Sequence, residues 1–494
     1  MSNRREFLRA GVAGLSSSLA SGQATPPQSS TRKMIGIQVG AVSFVDEGTQ
    51  NVLDIFQEQG INTLFLATFT YGRGIAGRQV PGQPLPDHGK QQYDPEFHGG
   101  NYGTVHAQYY RDTGVLPEAT RSPDHGNLDI IAEVLPAAKE RGMHVILWGE
   151  DVWRYDLPGI EKLQEIDLHG RRVKRVCVNN PYHRNFLYGL TEDYARSYDI
   201  DGLMWGSERH GALGIALGAS AGGRSSDPGS AGCFCEFCEK KARAQGIQFD
   251  RVKQGYLELE KYVRSTRAGT RPVDGDYVTF WRILMRYPEI LAWEQFWHDG
   301  LREIYVGIRE RGHSSKPGLQ VGWHIWHNNS FSPFYRAQQD VQELAKRSDF
   351  LKMVMYHNCG GERMASYADS VTGDIYGDLS PEEMLRFEYR IMNYRERGYD
   401  EIPFTGLSSD YVYRETKRAI DGAANTDLLI WPGIDIDIPT ADRNSKSTPP
   451  GTKAAVLAAF RAGAHGVILS RKYSEMKLAN LRAAGEAIRD LKLA

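Results

Sequence analysis

Residues 128–148 read LDIIAEVLPAAKERGMHVILW, in which a helical pattern over Leu128–Arg141 runs into the apolar segment His144–Trp148. A helix followed closely by a short buried strand is the repeating unit of a parallel α/β sheet. The same alternation predicts eight strands in all: Ile35–Val45, Thr63–Thr70, His144–Trp148, Gly202–Gly206, Leu319–Trp326, Phe350–Tyr356, Leu428–Ile436 and Gly466–Ser470. Eight units predict a (β/α)8 TIM barrel. An open doubly wound sheet is the alternative, although no Gly-x-Gly-x-x-Gly motif follows the first strand.

The chain is longer than a plain barrel requires. A (β/α)8 barrel needs about 250 residues, whereas residues 34–494, which we predict to form one domain, number 461. About 200 residues must therefore lie in insertions, of which the two largest are Arg73–Asn127 after the second strand and Arg209–Tyr277 after the fourth. Both follow carboxyl ends of strands, where barrel enzymes build their sites.

Composition narrows the classes of function. The chain is 41% hydrophobic, and its 59 Lys and Arg against 61 Asp and Glu give a net charge of −2. These values exclude a mainly disordered protein and provide no basic field for nucleic acid. The 25 Tyr, 18 Phe and 9 Trp suit a cleft that stacks on sugar rings, and they equally suit core and loop packing.

The first residues predict an export signal. Arg4 and Arg5 precede Phe7-Leu8, a weakly apolar run over Ala10–Ala20 and a small-x-small site ending at Ala24. Residues 1–24 are thus similar to a bacterial twin-arginine signal peptide, with an ordinary basic N-terminus as the alternative. Residues 25–33 predict a flexible leader. No apolar run reaches the roughly 20 residues of a membrane span, so we expect a periplasmic or extracellular protein.

Four of the five cysteines form a candidate metal site. Cys233, Cys235 and Cys238 follow a C-x-C-x-x-C spacing, which suits tetrahedral thiolate coordination, and Cys177 lies upstream as a possible fourth ligand. A disulfide among them or unligated thiols are the alternatives. Cys359 is expected to be a buried free thiol.

The stretch from Arg171 to Ala242 resembles the middle of the family 42 glycoside hydrolases and of related hypothetical glycosyl hydrolases. Three pieces carry the resemblance: Cys177-Val178-Asn179-Asn180-Pro181, the fourth strand running from Asp201 to Glu208, and the C-x-C-x-x-C motif. The resemblance implies a structural zinc held by Cys177, Cys233, Cys235 and Cys238, and Glu208 as general acid/base. The chain departs from the family at Ser207, where the family has an Asn that contacts the sugar.

Hydrolysis of a glycosidic bond needs a second carboxyl group. Asp435 and Asp437 share one face of the seventh strand, and a carboxylate in so apolar a strand is costly unless it is used or paired. The resembled enzymes place their nucleophile at the end of this strand, although as Glu. We therefore predict Asp435, then Asp437, with Glu475 and the Glu150-Asp151 pair in reserve.

Aromatic and histidine side chains near the strand ends predict a polar, ring-shaped ligand. The predicted substrate-binding set is Trp148, Glu150, His210, His324, Trp326, His327, Tyr356, His357 and Trp431. The sequence thus predicts an exported glycoside hydrolase that acts on an oligo- or polysaccharide and needs no catalytic cofactor. A metal-dependent sugar isomerase or lyase built on the histidines, and a non-catalytic carbohydrate-binding barrel, are the alternatives.

Overall fold

A computed structural model describes residues 33–71, 77–437 and 445–493. The predicted signal peptide and all of the leader except Lys33 lie outside these residues. Eight strands form the barrel: β1 Met34–Val39, β2 Thr63–Tyr71, β3 His144–Glu150, β4 Gly202–Gly206, β5 Gln320–Ile325, β6 Phe350–Val354, β7 Leu429–Asp435 and β8 Gly466–Ser470. Each strand pairs in parallel with the next, and β1 pairs with both β2 and β8. The sheet is therefore closed, which confirms the TIM barrel and excludes the open doubly wound sheet.

The predicted first strand is too long. β1 ends at Val39, and after the extended residue Gly40 the chain forms a helix over Ala41–Glu47. The first four residues of that helix are all buried, so the apolar run continues unbroken across the boundary. Periodicity cannot separate a buried strand from a short buried helix in such a run.

Helices cover the outside of the barrel and build its insertions. They are α1 Ala41–Glu47, α2 Thr49–Glu58, α3 Ile130–Glu140, α4 Pro181–Ser197, α5 Ala212–Ala216, α6 Glu236–Ala244, α7 Phe249–Arg267, α8 Asp276–Arg286, α9 Glu289–Ser315, α10 Pro333–Arg336, α11 Val341–Ala345, α12 Gly360–Asp374, α13 Pro381–Met392, α14 Ile402–Thr405, α15 Ser409–Gly422, α16 Pro449–Arg461 and α17 Leu478–Asp490. None of the helices in the described residues has the length and apolar character that a membrane crossing requires.

The extra residues enter the barrel at several points on its carboxyl rim. In the β2–β3 connection, the short strand Gly99–Asn101 pairs antiparallel with β2. The β4–β5 connection contains α5 to α8 before the long barrel helix α9. The β6–β7 connection carries four helices, α12 to α15, an insertion that the sequence analysis did not single out.

Two apolar layers hold this architecture together. One lies between the strands and the surrounding helices. The other fills the barrel interior and consists of Phe65, Ala67, Ile146, Trp148, Met204, Phe350, Trp431 and Ile468. In this inner layer the rings of Phe350 and Trp431 stack with centroids 4.1 Å apart. Large rings thus close the barrel interior, and the polar residues of the site lie beyond them at the carboxyl ends of the strands.

Candidate active site

Strand register brings four residues of the carboxyl rim to one level. Glu150 of β3 pairs with Gly206 of β4, Gly206 pairs with His324 of β5, and His324 pairs with Lys352 of β6. Because side chains alternate along a strand, Glu150 lies on the same face of β3 as the interior residue Trp148. Lys352 lies on the same face of β6 as Phe350. The row therefore faces the barrel axis directly above the inner apolar layer.

Glu208 follows this row by two residues and keeps 44% of its side-chain surface exposed. Its Oε1 lies 2.8 Å from Nε2 of the buried His324. Burial opposes ionisation of this carboxyl, but the His324 hydrogen bond and the charges of Arg363 and Arg471 together lower its pKa to about 2. Glu208 is thus an ionised carboxylate at neutral pH.

Glu150 has the opposite electrostatic environment. Its side chain is buried, and burial together with the negative charge of Glu208 raises its pKa to about 8, although Lys352 and Arg471 act in the other direction. Glu150 is therefore protonated at neutral pH. The site thus holds one carboxyl group that can donate a proton and one carboxylate that can accept a proton or attack carbon.

Lys352 is a site residue that the sequence analysis missed. It is completely buried, and its Nζ donates to Gln38 Oε1 at 2.5 Å and to Tyr356 Oη at 3.1 Å. Burial lowers its pKa to about 7, even though Glu208 and Glu150 favour the charged form. The missed signal is one charged residue within the apolar strand FLKMV, because such a charge is costly unless it is used or paired.

Asp435, predicted as the second carboxylate, is bound within the protein. Its Oδ1 lies 2.8 Å from His357 Nδ1, and its two oxygens accept the backbone N–H groups of Asn358 at 3.1 Å and Cys359 at 3.0 Å. Burial raises the pKa of Asp435, but the charge and hydrogen bond of His357 outweigh that effect and lower it. Asp435 therefore holds the chain that follows β6, and its catalytic role stays a prediction.

Asp437 lies two residues further, where Asn480 Nδ2 donates to its Oδ2 at 3.1 Å. Burial raises the pKa of Asp437 to about 6. Among the reserve carboxylates, Glu475 binds Arg471 Nη2 at 2.7 Å. Asp437 and Glu475 thus both have partners within the protein.

Asp151, the other reserve residue, fixes the chain just before and after Glu208. Its Oδ2 accepts from Arg209 Nη1 at 2.7 Å and from Ser207 Oγ at 3.2 Å. Arg209 Nη2 in turn binds Glu165 Oε1 at 2.6 Å. Arg209 is thus bound to other acids and does not neutralise Glu208, while Ser207, the departure from the resembled family, is also held by Asp151.

The predicted aromatic residues divide into two groups. Trp148 and Trp431 belong to the inner barrel layer, and Tyr356 is buried beside Lys352. Trp326, in contrast, is partly exposed, and its ring meets those of His210 at 4.8 Å and Tyr335 at 5.6 Å. Trp326 is therefore the member of the predicted set that can offer a ring face to a ligand.

The four predicted histidines are separately engaged. His324 contacts Glu208 and His357 contacts Asp435, whereas His327 lies 3.2 Å from Tyr411 Oη and 3.1 Å from Arg363 Nη1. Burial lowers the pKa of His210 to about 4, although the charge of Glu294 acts in the opposite direction. In the part of the chain that the structure describes, these histidines do not gather three ligand atoms around one point; the cysteines alone do so.

Cys177, Cys233, Cys235 and Cys238 are all buried and unbridged, and their sulfurs lie within 4.8 Å of one another. The Sγ atom of Cys177 is 3.4 Å from that of Cys238 and 3.7 Å from that of Cys235. Four sulfurs bound about 2.3 Å from one zinc ion lie about 3.8 Å apart, so the cluster fits a metal. It joins the chain before α4 to the start of α6. Cys359 is buried and unbridged, as predicted.

No protein-family model and no curated protein matches the sequence, whereas solved structures match the fold. The α-L-fucosidase isoenzyme 2 of Paenibacillus thiaminolyticus is 11% identical, with 93% of this chain and 49% of that chain covered and a TM-score of 0.49. The PgaB (BpsB) glycoside hydrolase domain of Bordetella bronchiseptica is 12% identical, with 93% and 98% covered and a TM-score of 0.48.

Gan42B, a family 42 β-galactosidase from G. stearothermophilus, is 10% identical, with 94% of this chain and 57% of that chain covered and a TM-score of 0.47. The chain is similar in fold to glycoside hydrolases. It spans about half the length of the fucosidase. Identities this low concern the fold alone, and any activity has to be argued from the residues of the site.

The contacts of Asp435 give a first prediction. We expect Asp435→Asn to lower the free energy of unfolding at pH 7 by about 1–3 kcal/mol, because an amide has a single acceptor oxygen for the two backbone N–H groups and no charge to pair with His357. The lowered pKa of Asp435 stabilises the fold above about pH 4, its ordinary range, and this contribution disappears as pH falls through the folded-state pKa. Urea denaturation at pH 7 and pH 3 should show the loss shrinking at the lower pH.

The exposed Asp427→Asn is the matched control and should leave stability unchanged. A stable Asp435→Asn protein whose turnover falls by a thousandfold would instead establish Asp435 as the catalytic partner that the sequence predicted.

Proposed function

We propose that this protein is a glycoside hydrolase in which Glu150 is the general acid and Glu208 the catalytic carboxylate. The observation that carries the proposal is the pair of carboxyl groups whose surroundings shift their pKa values in opposite directions at neighbouring strand ends. Such divergence separates the acid from the base in two-carboxylate hydrolysis. The role of Glu208 differs from the acid/base role that the sequence resemblance implies.

The reaction follows from these two protonation states. Glu150 gives its proton to the glycosidic oxygen as the bond from that oxygen to the anomeric carbon breaks. Glu208 either attacks the anomeric carbon or takes a proton from a water that attacks it. The developing positive charge on the sugar ring is stabilised by the ionised Glu208, which His324 holds in place.

Lys352 lies level with Glu150 in the row at the carboxyl rim and interacts electrostatically with both carboxyl groups. Its charge lowers the pKa of Glu150, which burial and Glu208 raise. We propose that Lys352 is a positioning residue, which keeps the pKa of Glu150 low enough for proton transfer near neutral pH. The partly exposed ring of Trp326 supplies an apolar face for a sugar.

Zinc and export complete the proposal. The four cysteines are proposed to hold a structural zinc ion that fixes the insertion after β4 and takes no part in the reaction.

Residues 1–24 are proposed to direct export by the twin-arginine route. Cell fractionation of an Arg4→Lys/Arg5→Lys variant tests the latter, and unchanged export would refute it.

The two carboxyl groups can be told apart by leaving-group dependence. On a panel of aryl glycosides, Glu208→Gln should lose at least about a thousandfold in kcat/KM for every leaving group, because no carboxylate remains to form or activate the new bond. Glu150→Gln should lose activity steeply only for poor leaving groups, which need a proton. Glu343→Gln, at a half-exposed carboxyl outside the site, is the control. Equal losses for Glu150→Gln across all leaving groups would contradict its role as the acid.

The electrostatics of the site also predict a pH profile. Activity requires a protonated Glu150, so kcat/KM of the wild type should fall as pH rises through about 8. Lys352→Met removes a cation that lowers the pKa of Glu150, so this limb should move to higher pH. The exposed Lys346→Met should leave it in place. A limb that moves to lower pH in Lys352→Met would overturn the assignment.

Metal analysis tests the cysteine site. We expect about one zinc per chain in the purified protein, and a loss of that metal in Cys235→Ser together with a lower midpoint of thermal unfolding. Cys359→Ser, which changes a buried thiol outside the cluster, should retain the metal. Wild-type protein without bound metal, or a Cys235→Ser variant with full metal content and unchanged stability, would refute the site.

A further inference from the structure

Arg363 is a cation of the candidate site that has no acidic partner among the described residues. It lies in the first turn of α12, after β6, and is partly buried. Its guanidinium has no carboxylate oxygen within 4.0 Å in the described part of the chain, whereas the partly buried Arg209, Arg267 and Arg336 are each paired with an acid. Its hydrogen-bond contact is His327 Nδ1, 3.1 Å from Nη1.

His327 cannot balance this charge. Burial and the nearby Arg363 lower the pKa of His327 to about 3, so the imidazole is neutral. The ring of Tyr356, whose centre lies 6.0 Å from Arg363 Cζ, is a second neighbour and is also uncharged. A guanidinium that contacts neutral groups and is partly removed from water loses hydration energy that these groups do not fully replace. Binding of an anion would therefore stabilise it.

A second guanidinium acts on the same space. Arg471 follows β8, is 27% exposed, and binds Glu475 through Nε at 3.1 Å and Nη2 at 2.7 Å. Its charge lowers the pKa of Arg363, so the two cations are close enough to repel each other. Both also act on Glu208. The two arginines therefore belong to the surroundings of the catalytic carboxylate.

The acids nearby are already engaged. Glu475 is bound to Arg471, Asp435 to His357 and two backbone N–H groups, and Glu150 is protonated. Glu208 is left to face Arg363, Arg471 and the partly charged Lys352. Arg363 is thus a cation of the site that no described carboxylate contacts, whereas Arg471 already pairs with Glu475.

We propose that Arg363, assisted by Arg471, binds an anionic substituent of the sugar, a carboxylate or a sulfate ester. The planar guanidinium fork suits both groups, since it can donate two parallel hydrogen bonds. The inference rests on the proposed function for its substrate class and identifies that substrate as an acidic carbohydrate. Arg363 is then a specificity-determining residue that touches substrate beside the bond to be cleaved.

Matched glycosides test the subsite. For gluco and galacto rings of both anomers, three p-nitrophenyl glycosides are compared that differ only at carbon six: hydroxymethyl, carboxylate and 6-sulfate. Calorimetric Kd and kcat/KM are both measured at pH 7 for wild type, Arg363→Gln, Arg363→Lys and the exposed Arg386→Gln. Circular dichroism establishes that each variant is folded.

We expect at least one acidic member to bind the wild type about 10- to 100-fold more tightly than its neutral partner, as for a hydrogen bond between charged groups. That ratio should collapse in Arg363→Gln, recover in part in Arg363→Lys and stay unchanged in Arg386→Gln. The calorimetric Kd shows whether the carboxylate or the sulfate is preferred.

Three outcomes would overturn the subsite: neutral and acidic members that bind equally, a preference that survives Arg363→Gln, or no binding of any acidic member. Failure of the proposed function looks different. Acidic glycosides that bind through Arg363 but are not cleaved would support the subsite and refute hydrolysis, whereas cleavage of neutral glycosides alone would support hydrolysis and refute the subsite.

Discussion

Hydrogen bonding between neighbouring parallel strands is the constraint on which the rest of the site depends. Closure of the sheet through the pairing of β1 with β2 and β8 fixes the level of every strand relative to the next. That register places Glu150, Gly206, His324 and Lys352 in one row above the inner apolar layer. A slip of one residue in β3 or β6 would move Glu150 or Lys352 to the outer face of the barrel. The chemistry of the site is thus a property of the sheet as a whole.

Contacts between the chain after β3 and the chain after β4 then commit Asp151 and Glu165 to structure and leave Glu208 for chemistry. Arg209 binds Asp151 and Glu165, which leaves Glu208 exposed and ionised rather than neutralised by its chain neighbour. His324 orients Glu208, and burial keeps the proton on Glu150. The cysteine cluster also joins the β3–β4 connection, through Cys177, to the β4–β5 connection, through Cys233, Cys235 and Cys238. These contacts explain how two glutamates of one site can differ in protonation state: their surroundings differ, although their side chains are the same.

The sequence predicted the fold well because a βα repeat is a local pattern. Seven of the eight predicted strands overlap the observed ones closely, and the error at Ile35–Val45 arose where a buried helix continues an apolar run. The site was harder to predict because it depends on contacts between strands distant in sequence. Glu208 lies just past β4, as the strand pattern predicts, but nothing local shows that Asp435 meets His357, that Trp148 and Trp431 point into the barrel, or that Lys352 lies level with Glu150. The alternation of side chains along β6, together with the energetic cost of a buried charge, could have identified Lys352 as a residue of the site.

The residues proposed to cleave the glycosidic bond and the residue proposed to select the substrate lie on different stretches of the chain. Glu150 and Glu208 come from β3 and from the loop that follows β4, whereas Arg363 stands on α12 in the connection between β6 and β7. That connection begins and ends on adjacent strands of the barrel. Evolution, or an engineer, could therefore exchange it as a cassette and obtain a new substrate preference on an inherited reaction centre.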